Sequence, residues 1–87
     1  MKSHPRTDRN QAEIVDWLRK NGVTVEILTP IGGGCPDLLL GLEGYNLLWE
    51  IKDGKQPPSR QKLTPDEKRW HVKWEGQVCV VDSVERA

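Results

Sequence analysis

The chain has 87 residues, with 13 Lys or Arg and 13 Asp or Glu, so its formal net charge is zero. This length fits a single small domain, residues 1–87, which buries only about 60–65% of the surface that its unfolded chain exposes. The balanced charge argues against a polycationic protein that coats DNA. Because the core is thin and contains no Phe, we expect the domain to gain stability by forming a homodimer.

The cysteines and the apolar runs indicate the cellular compartment in which we expect the protein. Cys35 and Cys79 are far apart, and the Cys and His residues lack the spacing of zinc ligands. We interpret both cysteines as reduced thiols, which suit a cytoplasmic protein. No apolar run approaches the roughly 20 residues of a membrane span, and the polar N-terminus is unlike a signal peptide. We therefore expect no membrane partner.

The first half of the chain predicts one helix and three strands. Residues 1–6 look like a loose arm, after which Thr7 or Asp8 caps a helix that runs to about Lys20. The apolar positions of this helix follow the 3.6-residue period at 11, 14, 15 and 18. Residues 23–28 are rich in β-branched side chains and predict a strand. Residues 37–52 predict a β-hairpin, with strands at 37–41 and 47–52 and a turn at 43–46.

The second half predicts a loop, a helix and a strand. Residues 54–60 contain two prolines and predict the loop. Thr64, Pro65 and Glu67 form a capping box that starts a helix running to about Glu75. Residues 77–81 predict a last strand, and Ser83 can cap a final turn. The order α-β-β-β-α-β predicts an α/β fold with a mixed β-sheet flanked by helices.

Three charged residues lie among the apolar residues of the predicted hairpin: Asp37, Glu50 and Lys52. Glu50 and Lys52 are two residues apart on a strand, so both side chains point to the same face. Two carboxylates, together with the backbone carbonyl of Ile51, suit Mg²⁺ or Mn²⁺. This constellation predicts phosphodiester hydrolysis, in which Asp37 and Glu50 hold the metal and Lys52 serves the nucleophile and the phosphate.

Other interpretations of these residues remain open. A Pro-Asp pair followed by Glu-x-Lys is a short pattern, and in a structural protein it forms only ion pairs. A second alternative is a non-catalytic DNA-binding or assembly module on a nuclease fold. The Gly-rich loop before Pro36 and the apolar flanks of both strands favour the enzyme. Gly32–Gly34 lacks the Lys-Ser/Thr of a P-loop, so we expect no nucleotide cofactor.

The residues after the hairpin carry an excess of positive charge. From Lys52 to Lys73 there are seven Lys or Arg against three acidic residues, a local net charge of +4. We expect part of this excess to contact DNA phosphates, although an ordinary solvated charge is the alternative for each residue. The predicted contacts are Lys55, Arg60, Lys62, Arg69 and Lys73. Trp70 and Trp74, one helical turn apart, are predicted to pack in the core.

Residues 33–41, 48–54 and 60–67, with the opening helix at residues 10–15, together resemble the VRR-NUC branch of the PD-(D/E)XK nucleases. The resemblance covers nearly the whole chain. It implies a PD-(D/E)XK, restriction-endonuclease-like core that cleaves duplex or branched DNA with a metal. It also implies kinship to Holliday-junction resolvases, which act as homodimers.

The resemblance also assigns roles to individual residues. It implies Asp37 and Glu50 as metal ligands and Lys52 as the catalytic lysine. Relatives supply a further acid from the first helix, and Glu13 matches that position here, so it becomes a fourth expected catalytic residue. Many relatives carry Gln near the position of Glu67, and this departure leads us to interpret Glu67 as the capping-box acid alone.

Overall fold

The computed structural model of the chain describes residues 10–83. The helices are α1 (Gln11–Lys20), α2 (Pro58–Gln61) and α3 (Pro65–Lys73), and a short 3₁₀ helix spans Thr29–Ile31. The strands are β1 (Thr24–Ile27), β2 (Leu38–Leu42), β3 (Tyr45–Ile51) and β4 (Cys79–Val81). The predicted arm at residues 1–6, the cap at Thr7 or Asp8 and the turn after Ser83 lie outside the described residues.

The four strands form one mixed sheet in the order β1-β2-β3-β4. Strand β2 pairs antiparallel with both β1 and β3, whereas β3 and β4 are parallel. A parallel pair needs a crossover connection, and α2 and α3 lie in the segment that joins these two strands. The α/β class and the mixed sheet with flanking helices are thus confirmed. Within residues 10–83, no helix is both long enough and apolar enough to cross a membrane.

The core lies between α1 and one face of the sheet. Helix α1 buries the four positions that its periodicity predicts: Gln11, Ile14, Val15 and Leu18. The sheet contributes Val25, Leu38, Leu40, Ile51 and Val81. Because side chains alternate along a strand, the residue before Ile51 points away from this core face. Glu50 therefore lies on the other face of the sheet from the apolar core.

A two-residue turn closes the hairpin between β2 and β3. Glu43 and Gly44 have φ values of 51° and 87°, and positive φ at both positions is characteristic of a type I′ turn. Leu42 consequently pairs with Tyr45 directly across the turn. Tyr45 and Asn46, which the sequence predicted to be turn residues, are the first residues of β3. The tight turn extends the strand because its twist matches that of the paired strands.

The segment after the hairpin differs from the prediction in detail. The predicted loop contains the one-turn helix α2, which has Pro58 in its first turn. Helix α3 keeps its predicted capping box but ends at Lys73, and none of its residues is fully buried. Trp70 and Trp74 stack on each other with ring centroids 4.7 Å apart. The expectation that both pack in the core is wrong, because Trp74 is 45% exposed.

Gly34 packs directly against the start of α3. Its φ is +86°, and a Cβ atom at this position would overlap the backbone carbonyl of Asp66. Gly33 also has a positive φ, +65°, but a Cβ atom there would meet nothing within 4 Å. Gly34 is therefore required both for its backbone conformation and for its missing side chain. This close approach fixes the start of α3 against the Gly-rich loop.

Replacing Gly34 by Ala is expected to destabilise the protein more than replacing Gly33 by Ala. Both variants bear the strain of a left-handed residue, about 1–2 kcal/mol. Gly34→Ala must also displace the Asp66 backbone, which adds roughly 1–3 kcal/mol of overpacking. Urea denaturation measures the free energy of unfolding of each variant. An equal decrease in the free energy of unfolding of the two variants would show that α3 does not make this close contact with Gly34.

Candidate functional site

Asp37, Glu50 and Lys52 come together at one end of the hairpin. Leu38 pairs with Trp49, and extending this register by one residue places Asp37 opposite Glu50. The register is held there by a hydrogen bond of 3.0 Å from the Asp37 N–H to the Trp49 carbonyl. The three charged residues are only 9%, 2% and 7% exposed, respectively. The pairing of β2 with β3 thus brings two acids and a lysine into one buried cluster.

Hydrogen bonds fix the orientation of the Asp37 carboxylate. The Ile51 N–H donates to Asp37 Oδ2 at 2.8 Å, and the Thr29 hydroxyl lies 3.3 Å from Oδ1. Gln11 Nε2 in turn donates to Thr29 Oγ1 at 3.1 Å. Each carboxylate oxygen therefore accepts at least one hydrogen bond, and these bonds orient the Asp37 side chain.

Sequence reasoning missed the contribution of Gln11 and Thr29. Both side chains are buried, at 4% and 9% exposure. A glutamine on the buried stripe of α1 was a usable signal, because a buried amide needs a hydrogen-bond partner. Nothing in the local sequence identifies Thr29 as that partner, since the contact joins residues 18 positions apart.

Glu50 is the most unfavourably placed acid of the cluster. Its Oε1 is buried without a hydrogen-bond partner among the described residues. Burial, followed by the negative charge of Asp37, raises the pKa of Glu50 to about 10. Burial also raises the pKa of Asp37, against the lowering effect of the hydrogen bond from Ile51. The pair therefore resists carrying two negative charges unless a positive charge joins it.

The donor set fits a hard divalent cation. Asp37 and Glu50 offer carboxylate oxygens, and the unpartnered Glu50 Oε1 is an atom that a cation would satisfy. The Ile51 peptide lies beside the Asp37 carboxylate, to which its N–H donates. No group of three or more His, Cys, Asp or Glu residues within 10–83 forms a metal cluster. Mg²⁺ does not require one, because it commonly binds one or two carboxylates and retains several waters.

Lys52 contacts an acid from the start of α3. Its Nζ lies 2.8 Å from Glu67 Oε1, and the Thr64 N–H donates to the same oxygen, also at 2.8 Å. Burial raises the pKa of Glu67, but the hydrogen bonds from Lys52 and from the Thr64 N–H, together with the charge of Lys52, outweigh this effect, and the net shift is downward. Glu67 does close the predicted capping box. The interpretation that it does only this is wrong, because it also pairs with Lys52.

The structure does not bring Glu13 into the cluster. Glu13 is exposed on α1, whereas Gln11 is buried. Two residues separate their side chains by about 200° around the helix, so Glu13 projects away from the side on which Gln11 donates to Thr29. The rotation of α1 is set by its apolar stripe, which includes position 11 and excludes position 13. The polar side chain that α1 supplies here is therefore Gln11.

The five predicted DNA contacts are all exposed: Lys55, Arg60, Lys62, Arg69 and Lys73. They lie on α2, on α3 and on the segments next to these helices. Arg69 pairs with Asp66 on the same helix, which offsets part of its charge. The exposed side chains are accessible to an anionic ligand.

Replacing Glu50 by Gln is expected to stabilise the protein at alkaline pH in the presence of a chelator. A carboxyl group with a pKa near 4.5 when unfolded and about 10 when folded contributes its stability fully only below pH about 4.5. That stability is lost as the pH rises toward 10. Glu50→Gln removes this ionisation, so urea denaturation at pH 8 should show a gain of more than about 1 kcal/mol.

The matched control is Glu26→Gln, which changes an exposed carboxyl on β1. This variant should keep the pH dependence of the wild-type protein between pH 5 and 9. If wild-type stability does not decline over that range relative to Glu50→Gln, the assigned shift in the Glu50 pKa is incorrect.

Comparisons with known proteins agree with this architecture. No family profile matches the sequence, and no curated protein matches it. Among solved structures, the chain is similar to one described as "VRR_NUC domain", with 29% sequence identity and a TM-score of 0.64. The match covers 88% of this chain and 84% of that chain. The fold is thus the PD-(D/E)XK-like α/β core that the resemblance implied, and the chain is similar to a VRR-NUC domain over most of its length.

Proposed function

We propose that the chain is a metal-dependent DNA endonuclease that hydrolyses phosphodiester bonds. The observation that carries this proposal is the burial of Asp37 and Glu50 side by side, with Lys52 next to them. A buried charged cluster of this kind contributes little to stability compared with apolar residues of similar size. The similarity to a VRR-NUC domain, a nuclease-type domain, supports the same conclusion.

Asp37 and Glu50, together with the carbonyl of Ile51, are the residues that would hold Mg²⁺ or Mn²⁺. When bound, the cation supplies charge that lowers the pKa of a coordinated water and offsets the charge that develops on the phosphate. The hydrogen bonds from Thr29 and the Ile51 N–H keep the Asp37 carboxylate in one orientation. Such outer contacts commonly decide how well a carboxylate serves as a ligand.

Lys52 supplies the positive charge of the site. It follows β3 directly, two residues after Glu50, so its ammonium group and the carboxylates act on the same side of the sheet. We assign to it the stabilisation of the phosphate as negative charge builds in the transition state. A lysine suits this role because its ammonium is a compact point charge.

The proposed partner is DNA, duplex or branched, with the Holliday junction as the branched substrate to test. The exposed cations on and around α2 and α3 would neutralise phosphates without reading sequence. We further propose a homodimer, because two copies would present two sites to the two strands of a duplex or junction. Cys35 and Cys79 are both free thiols, which is compatible with the cytoplasmic location that we propose.

Metal-dependent cleavage is the direct test of the proposed activity. Purified protein is incubated with supercoiled plasmid and with a labelled four-way junction, in Mn²⁺, Mg²⁺ or EDTA. We expect cutting with either metal and none in EDTA. Asp37→Asn and Lys52→Ala should each lower the rate by about 10²-fold or more, because each removes a group that stabilises the transition state.

The matched control is Lys20→Ala, which removes an exposed lysine of α1 that pairs with Asp16. This variant should cut DNA at the wild-type rate. Full activity in Lys52→Ala would remove Lys52 from the mechanism. Shifted DNA bands without cutting under any metal condition would favour the non-catalytic DNA-binding module.

Lys62→Ala tests the proposed phosphate contacts. Lys62 is exposed immediately after α2, and a lysine that contacts a phosphate releases about one counterion on binding. The variant should bind duplex DNA more weakly at low salt, and the slope of log K against log salt should decrease by about 1. Fluorescence anisotropy in Ca²⁺ or EDTA measures this slope, with Lys20→Ala as the reference. An unchanged slope would exclude Lys62 from the interface.

A further inference from the structure

The contact between Lys52 and Glu67 joins the end of β3 to the first turn of α3. Lys52 Nζ and Glu67 Oε1 are 2.8 Å apart, and their side chains are only 9% and 18% exposed. The two residues are 15 positions apart in the sequence. The contact therefore ties the hairpin to helix α3, which lies outside it.

Glu67 is itself held in place from two directions. Its carboxylate accepts the Thr64 N–H, while its own N–H donates to Thr64 Oγ1 at 3.2 Å, which completes the capping box. The preceding residue, Asp66, lies directly against Gly34. The side chain of Glu67 thus projects from a backbone that both the helix cap and the Gly-rich loop immobilise.

Lys52 needs such an anchor because its side chain has a flexible four-carbon stem. A lysine loses substantial rotamer entropy when it is fixed, and it stays fixed only where a partner holds the ammonium group. A group that stabilises a phosphate acts best when its position is set before the substrate arrives. Glu67 meets this requirement, since it is an anionic partner at hydrogen-bonding distance on a rigid helix start.

We propose that Glu67 is a positioning residue that aims the Lys52 ammonium group at the phosphodiester. Glu67 acts through Lys52 and not on the substrate. This inference rests on the proposed function for the role of Lys52, and it adds the start of α3 to the parts of the fold on which turnover depends. Glu67 then has two tasks, closing the capping box and holding the ammonium group of Lys52.

Steady-state cleavage of a labelled DNA substrate in Mn²⁺ tests the proposal with four variants. Glu67→Ala removes the anchor, and Glu67→Asp keeps its charge but shortens its reach. Both should lower kcat by about tenfold or more with little change in KM, because the lysine is misaligned after binding. Glu67→Gln keeps a hydrogen-bonding oxygen at the same distance and should retain most of the wild-type kcat. Thr64→Ala removes the hydroxyl that accepts the Glu67 N–H but keeps the backbone N–H that donates to the Glu67 carboxylate. It should therefore lower kcat much less than Glu67→Ala does.

A second measurement does not depend on activity. Acylation of lysines by an amine-reactive ester, followed by mass spectrometry, reports how accessible and mobile each ammonium group is. In the wild-type protein Lys52 should react more slowly than the exposed Lys20. Glu67→Ala and Glu67→Asp should speed the labelling of Lys52 several-fold, whereas Thr64→Ala should not.

The two measurements separate the possible failures. A wild-type protein that cuts no DNA but shows the expected labelling pattern would overturn the proposed function and leave the anchoring of Lys52 in place. Wild-type kcat in both Glu67→Ala and Glu67→Asp would overturn the positioning role. Unchanged labelling of Lys52 in these variants would overturn it as well. A loss of kcat in Thr64→Ala equal to that in Glu67→Ala would show that only the stability of α3 matters.

Discussion

The burial of two carboxyl groups opposite each other, Asp37 before β2 and Glu50 in β3, is the constraint around which this domain is organised. Burying two like charges costs several kcal/mol, and burial raises the pKa values of both carboxyl groups in consequence. Hydrogen bonds from Ile51 and Thr29 to Asp37 offset part of it. A small domain retains an arrangement of this kind where the site has a use for it, and the use that we propose is the binding of a divalent cation.

The rest of the fold holds this pair in register. The two-residue turn at Glu43–Gly44 sets the pairing of β2 with β3, and a slip of one residue would turn the acids toward the apolar core. Helix α1 supplies the core contact on one face of the sheet. On the other side, Gly34 lets the start of α3 approach the hairpin. The polar site thus lies between a rigid hairpin and a helix start.

The sequence predicted the local features well. The buried face of α1, the hairpin, the capping box at Thr64 and the trio of Asp37, Glu50 and Lys52 all follow from patterns within a few residues or from strand alternation. What it did not predict depends on tertiary contacts, namely the path from Gln11 through Thr29 to Asp37 and the pairing of Lys52 with Glu67. The position of Glu13 illustrates the limit, because the rotation of α1 is fixed by packing and leaves that residue exposed.

Calorimetric titration of the purified protein with Mn²⁺ tests the central claim most directly. The account predicts saturable binding by the wild-type protein that is weakened at least about tenfold in both Asp37→Asn and Glu50→Gln, since each variant removes one of the two carboxylate ligands. Glu26→Gln, with its change on the exposed side of β1, should bind as the wild type does. Equal Mn²⁺ affinity in the wild type and in both site variants, or no binding by the folded wild-type protein, would contradict the account.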